Sequence, residues 1–530
     1  MLKLENASVS EIIDALAGGR VTATALTEGY LARIKAYDRG GPMLNSVREV
    51  NPDALTTAAK RDGTKPSEKR PLAGVPILVK DNIATGDKQP TTAGSLALEG
   101  ARAKKDATVV KLLRNAGAVI LGKANLTEFA NILAIDMPSG YSSLGGQVKN
   151  PYAPALVDDR GIPVVLPGGS SAGSGVAVAA GLCAASIGTE TSGSLLSPAS
   201  QNGLVTVKPT VGLVSCAGIL PISHSQDTAG PMTRTVRDAA VLLNVLAAKD
   251  PLDRATLRQR RPADYTEGLA QDAMKGARIG VPSDPDDPLN DFYYGKLAPG
   301  WAKVMADAIK VLQDLGAVIV RANMPTAGWI GGPGTSMAVL NRNPLSRSKG
   351  NSATPPIVFI YELKRDLNRY LKDWLRGTSM KTVADIVAFN EANADRALRF
   401  GQDLFLAANA TKGDLSEREY KSARAMDLLA AKTRGMDAYM DRHKLDAVLF
   451  AGATGCAIAA KAGYPSVMVP GGFVSGVGAG PDSKDTPDYP LGVTFAGRAW
   501  SEHKLLRLAY AYEQASNMRK PPPGLLDLSL

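Results

Sequence analysis

Residues 168–194 read GGSSAGSGVAVAAGLCAASIGTETSGS. Two clusters of glycine and hydroxyl residues bracket one apolar segment, which reads as a buried helix. Strand and helix signals alternate on either side of it. VPILVK (75–80), AVILGK (118–123), RIGVP (278–282), AVIVRA (317–322), DAVLF (446–450), SVMVP (466–470) and LGVTFAG (491–497) have the length and branched apolar character of buried strands. Ser8 and Glu11 form a capping-box pattern for a helix over 8–16, and Leu26, Tyr30 and Ile34 share one stripe of a second helix. Asp106 is placed to cap a helix that carries Val109, Val110, Leu112 and Leu113 and stops at Gly117. Thr235 and Asp238 mark the start of another that ends near Ala248. The interleaving predicts an α/β protein with one large sheet covered by helices.

The stretch from 326 to 442 differs. It opens on GWIGGPGTS and SRSKGNSATPP, which is loop chemistry, then turns helical and charged in YELKRDLNRYLKDWL and IVAFNEANADRALRFGQDL. We expect one domain spanning residues 1–530, with N-terminal helices over 8–60, a sheet core over about 60–325 and 443–515, and a helical and loop insertion over about 326–442. The Gly-, Pro- and Ser-rich part from Gly328 to Pro356 has the composition of a flap over a site.

Composition narrows the function. Of 530 residues, 45% are apolar and 21% charged, enough for a sizeable core. The net charge of +10 permits a polyanionic partner, but Lys and Arg are scattered and aromatics reach only 5%, so no nucleic-acid partner is expected. MLKLENASVSEII lacks the apolar core of a signal peptide, and no apolar run reaches about 18 residues, so the expectation is a cytoplasmic protein with no membrane partner. Cys183, Cys216 and Cys456 are an odd, widely spaced set, and with only three histidines no metal site is expected. Cys183 sits among Val, Ala and Leu and reads as a small buried residue.

From the residues alone, the Gly-Ser clusters have two readings. They could cradle an anion, although neither GxxxxGK[ST] nor GxGxxG is present. Alternatively, Gly169-Ser170-Ser171-Ala172-Gly173 fits the G-x-S-x-G elbow of a Ser-His-Asp esterase, with Ser171 as nucleophile. That enzyme needs a histidine, and only His224, His443 and His503 exist. His443 in DRHK and His503 in SEHK read as solvated surface residues.

Taken together, Lys80 at the end of VPILVKDNI, then GGSSAGS, then TETSGS, resemble the amidase signature family. The likeness extends through TTAGSLALEG, GAVILGKANLTEF, SLGGQVKNPY, GLVTVKPTVGLVS, ISHSQDTAGPM, GYPSVMVP and LGVTFAGRAWSEHKLLRLAYAYEQA, and so covers about residues 8–519. FNEANADRALRFGQ is similar to the bacterial peptide amidase branch. The resemblance implies a single large α/β domain with a central mixed, twisted sheet and helices on both sides. It also implies a Ser–Ser–Lys group without histidine. By position, Ser194 is the nucleophile, Ser170, 24 residues earlier, is the bridging serine beside a cis peptide that does not involve proline, and Lys80 is the base.

A lysine amine serves as a base only when neutral, against a free pKa of about 10.4, so burial must hold its pKa down. Ser170 then relays the proton from Ser194 to Lys80. The backbone N–H groups of Thr191, Ser192, Gly193 and Ser194 are the implied oxyanion hole, with Gly193 allowing the tight turn. Gly169, Ser171 and Asp227 are implied supports, Asp227 by tying the Gly-Ser loops together. Asp81 is a candidate orienter of Lys80, and Ser174 a loop hydrogen-bonder.

The commonest family pattern is D-T-G-G-S-I-R, where this chain has E-T-S-G-S-L-L. Ser192 thus replaces a glycine, and Leu196 an arginine. The latter argues against the amidase-like component of a tRNA-dependent amidotransferase (the GatA type), which stays as an alternative. The expectation is a cofactor-free amidase, monomer or homodimer, acting on small-molecule or peptide amides, with ester and carbamate hydrolysis within reach of the same chemistry.

Overall fold

In the computed structural model, residues 2–330, 357–475 and 487–525 are described. Eleven strands form the central sheet: β1 (Val47–Val50), β2 (Pro76–Lys80), β3 (Val119–Ala124), β4 (Ala185–Glu190), β5 (Val205–Lys208), β6 (Thr228–Thr233), β7 (Arg278–Val281), β8 (Val318–Arg321), β9 (Ala447–Ala451), β10 (Ser466–Val474) and β11 (Tyr489–Ala496). Their spatial order is β1-β3-β2-β4-β6-β5-β10-β11-β9-β7-β8. β3, β2 and β4 run parallel, as do β9, β7 and β8, while the remaining pairs are antiparallel. The mixed sheet in a single large domain, with helices against it, is the expected architecture. β2 and β4 are buried at every position, as strands covered on both faces must be.

The segment between the two Gly-Ser clusters departs from the sequence reading. Only Ala172–Ala179 is helical, and the second half is strand β4. Gly181, at φ +67°, ends the helix and starts the reversal. The carbonyls of this buried turn need donors, and two distant arginines supply them. Arg33 donates to Ala180 O (2.9 Å) and Gly181 O (2.7 Å). Arg234 donates to Cys183 O (2.8 Å), Ala184 O (3.0 Å) and Ala7 O (2.8 Å). Cys183 is buried, as expected.

The N-terminal helix spans Val9–Ala17 with the full Ser8–Glu11 capping box. Two other expectations need correction. The helix Thr108–Asn115 is not capped by a side chain, because Asp106 instead accepts from Gly86 N–H (2.7 Å) and pairs with Arg114 (3.1 Å). Thr235 does cap the helix Val236–Leu246, but the Asp238 carboxylate is taken by Val9 N–H, Ser10 N–H and the Ser10 hydroxyl.

Helices Ile357–Trp374, Val383–Ala392 and Asp403–Ala410 form a second apolar core with residues 93–137 and with Leu220 and Ile222. Of the flap expected over 328–356, residues 331–356 lie outside the described residues. Among the described residues, no helix is long and apolar enough to cross a membrane.

Removing a donor from a buried carbonyl costs about 1–3 kcal/mol. Arg234→Met strips three of them at once, and it should lower the unfolding free energy by about 3 kcal/mol or more, read as an earlier midpoint in urea denaturation.

Candidate active site

Lys80 closes β2, the third strand from the β1 edge of the sheet, and its side chain is fully buried. Its Nζ lies 2.8 Å from Ser170 Oγ, 3.0 Å from Ser171 Oγ and 3.0 Å from Thr189 Oγ1. Burial pulls its pKa down to about 7, against the upward pull of the Glu190 and Asp227 carboxylates. The lysine and the first serine cluster, 90 residues apart in sequence, are therefore in direct contact.

The Gly169–Ser170 peptide bond is cis. Ser170 O accepts from Thr127 N–H at 3.0 Å. Gly168, at φ +71°, lies so close to Pro198 that a Cβ would come within 2.5 Å of its Cα. The two adjacent serines are not equivalent. The Ser171 hydroxyl donates to Thr189 O (3.0 Å) and accepts from Thr189 N–H (3.2 Å), so its hydrogen is committed to the backbone. Ser170 Oγ has its hydrogen bond with Lys80. Ser174 is inside the helix Ala172–Ala179 rather than in a loop, and its hydroxyl is buried without a partner.

The turn that carries Ser194 is organised by Glu190, a residue that the sequence reading did not single out. Its buried carboxylate accepts from the N–H groups of Gly193 (2.7 Å), Leu195 (2.7 Å) and Leu196 (3.1 Å). Gly193 N–H was expected in the oxyanion set; Glu190 claims it. Thr191, Ser192 and Ser194 do not give their N–H groups to this carboxylate. Gly193 does take the positive φ expected of it, +85°. Ser194 is 8% exposed, and its carbonyl accepts from Ser171 N–H at 3.2 Å, which joins the two clusters through the backbone. Its hydroxyl forms no hydrogen bond among the described residues.

Asp227 accepts from the Thr191 hydroxyl (2.5 Å) and from the N–H groups of Ile222 and Ser223 (both 2.9 Å). It thus ties its own loop to the second cluster, not the two clusters to each other. Burial raises its pKa to about 7, although those hydrogen bonds pull it down. A small cleft opens here, with room for about one water-sized molecule, lined by residues that include Asn82, Thr189, Glu190, Thr191, Leu220 and Asp227. Asn82 Nδ2 donates to Thr189 Oγ1 (3.0 Å), so Asn82 and Thr189 form a second layer behind Lys80. Neither was singled out from the sequence, although each lies inside a quoted motif, Asn82 in VKDNI and Thr189 in TETSGS.

Asp81 does not contact Lys80; it pairs with Arg48 (2.5 Å) and accepts from the Thr92 hydroxyl. The histidines serve elsewhere. His443 O accepts from Arg278, and His503 Nε2 lies 2.7 Å from Glu267 O. The Ser171 hydroxyl is bonded to Lys80 and Thr189 and to none of the three histidines, which argues against the esterase elbow. His224, Glu362 and Asp366 bring three ligand atoms within 4.8 Å of one another. They do not suit a metal ion, since Arg365 Nη2 lies 2.9 Å from His224 Nδ1 and Glu362 already accepts from Ser223 (2.6 Å) and Tyr420 (2.8 Å).

Residues 25–506 match the family described as Amidase. A probable amidase of Arabidopsis thaliana is 37% identical over 529 residues, 98% of this chain and 92% of its own. A glutamyl-tRNA(Gln) amidotransferase component from Chloroflexus aurantiacus is 33% identical, over 99% of this chain and 100% of its own. The solved structure of the native peptide amidase from Stenotrophomonas maltophilia superposes with a TM-score of 0.82 at 39% identity, covering 97% of this chain and 98% of that one.

The lowered pKa of Lys80 has a thermodynamic signature. Between pH 7 and about 10 the unfolded chain holds a proton on this amine that the folded chain lacks, so this group's contribution to stability rises with pH. Lys80→Met removes it. The unfolding free energy of the wild type minus that of the variant should climb by up to about 1.4 kcal/mol per pH unit across that window, measured by denaturant titration at several pH values.

Proposed function

The chain belongs to the amidase family and is a hydrolase of C–N bonds, and on that premise we propose that Ser194, Ser170 and Lys80 are its catalytic triad. The observation that carries this reading is the fully buried Lys80 amine, lowered to a pKa of about 7 and 2.8 Å from Ser170 Oγ. A neutral amine takes the Ser170 proton as Ser170 takes that of Ser194. Ser171 cannot substitute, because its own hydrogen is held by Thr189 O. The Ser194 hydroxyl comes into line with Ser170 when substrate is bound, as catalytic hydrogen bonds commonly tighten in the Michaelis complex. The oxyanion donors are the N–H groups of Thr191, Ser192 and Ser194, with Glu190 fixing the turn that presents them. Collapse of the tetrahedral adduct returns the proton to the leaving nitrogen and leaves an acyl-enzyme, which water hydrolyses through the same relay.

The substrate class is linear amides, with peptide C-terminal amides first, by likeness to the Stenotrophomonas maltophilia enzyme. Esters and carbamates carrying the same acyl group follow from the acyl-enzyme. The amidotransferase reading draws on the Chloroflexus aurantiacus relative; Leu196, in place of the usual arginine, weighs against it. Glutamine-dependent transfer in the presence of a tRNA-binding partner would favour that reading instead.

Hydrolysis of a panel of peptide amides, anilides, esters and aryl carbamates tests the proposal. Ser194→Ala and Lys80→Met should each reduce kcat/KM by at least about 1,000-fold, with fluorophosphonate labelling lost in the former. In the wild type, kcat/KM should rise as pH increases through about 7, because only the neutral amine accepts a proton. A rate that stays flat across that range, or that survives Lys80→Met, would sink the triad.

A further inference from the structure

We propose that the cleft beside Thr189 and Asp227 is a binding site for the departing nitrogen, held as ammonium. The inference rests on the triad above and adds to it a ligand and a place. The leaving nitrogen must depart on the side from which its proton comes, which is the side of Lys80. The cleft adjoins that side, since Thr189, whose hydroxyl lies 3.0 Å from Lys80 Nζ, forms part of its wall.

The wall is built of acceptors. Asn82 is 2% exposed; its Nδ2 is tied to Thr189 Oγ1, and its Oδ1 is buried without a hydrogen-bond partner. A buried acceptor with nothing to accept from is costly unless a ligand supplies the donor. Asp227 offers about four lone-pair positions and receives three donors, which leaves one free. The ionisable side chains that line the cleft, Asp227 and Glu190, are both acidic.

When the adduct collapses, the C–N bond breaks and the nitrogen takes the proton that had passed from Ser194 through Ser170 to Lys80. The ammonia formed picks up one more proton from solvent and rests in the cleft as ammonium. In reverse, the bound ammonium returns one proton to solvent, and the ammonia so formed attacks the acyl group on Ser194. The C–N bond forms, the C–O bond to Ser194 breaks, and the proton lost by nitrogen returns through Ser170 to the Ser194 oxygen.

The test uses the full-length protein, a peptide methyl ester and increasing ammonium chloride at pH 8, with ionic strength held constant by tetramethylammonium chloride. Amide and acid products are quantified by mass spectrometry. A site predicts that the amide-to-acid ratio saturates with ammonium. Asp227→Asn keeps the shape of the side chain and should raise the half-saturating concentration at least fivefold, with rates normalised to fluorophosphonate-labelled enzyme. A ratio that climbs linearly in the wild type, or a half-saturation point that Asp227→Asn leaves unchanged, would overturn the site; the wild-type curve decides the matter even if the variant fails to fold. Ester turnover that persists in Ser194→Ala would sink the triad, and the site with it.

Discussion

The site depends on keeping one amine dry. Lys80 is fully buried, and its nearest polar neighbours are hydroxyls rather than carboxylates. The same sheet contains a comparison. Lys123, on the adjacent strand β3, is equally buried, but it donates to Ile83 O (2.6 Å) and Thr91 Oγ1 (2.9 Å) and has Asp81 at 3.9 Å. Burial lowers Lys123 to about 8 and Lys80 to about 7. A close carboxylate steadies the ammonium; hydroxyls satisfy the amine without demanding that it stay charged. Lys123 pairs in register with Val79, so it projects to the sheet face opposite Lys80. One face thus carries the Lys80 amine, while the other anchors the loop that follows it.

The Ser194 turn is fixed by an analogous economy of hydrogen bonds and close packing. Glu190 gathers three N–H groups that would otherwise lie buried and unpaired. Leu195, directly after Ser194, packs against Gly188 and Gly230, which face each other across β4 and β6. A Cβ at either glycine would come within 2.8 Å of a Leu195 methyl group, and at Gly230 it would also strike Val207 O at 2.0 Å. The two glycines therefore form the notch that seats Leu195, and this constraint reaches Ser194 through the backbone.

This separates what sequence reveals from what it hides. Strands such as 75–80, 278–282 and 446–450 were legible because burial on both faces leaves a continuous apolar run. The break at Gly181 was not, because Ala- and Gly-rich segments suit helix and strand alike; the switch is stabilised by Arg33 and Arg234, about 150 and 50 residues away. Asp106 and Asp238 show the same limit. Each sits where a cap belongs, yet tertiary partners claim its carboxylate, wholly for Asp106 and away from the helix for Asp238. Lys80 and Ser170 were found through motif order, and contact between them is a three-dimensional fact that order alone does not supply. Glu190 escaped because its role lies in the N–H groups that it accepts from, which no side-chain pattern encodes. The same bonds turn the N–H of Gly193, a residue needed for its conformation, towards Glu190.

The helical region beyond residue 326 also has a part in the site. The loop 222–227, which contributes Ile222 and Asp227 to the cleft, is fastened to the helix Ile357–Trp374. Glu362 on that helix accepts from the Ser223 hydroxyl (2.6 Å) and from Ser225 N–H (3.1 Å), and His224 lies 2.7 Å from Asp366. Burial disfavours charge on His224, but Asp366 and Glu362 outweigh it and raise its pKa, so the pair strengthens as an ion pair towards acid pH. Leu220 and Ile222 pack with Leu363 and Leu367 in the second apolar core. The helix therefore supports the cleft from behind, through apolar packing below and a polar clamp above. The Asp227 carboxylate keeps its place beside Thr191 because the backbone N–H groups that hold it belong to a loop which is itself held.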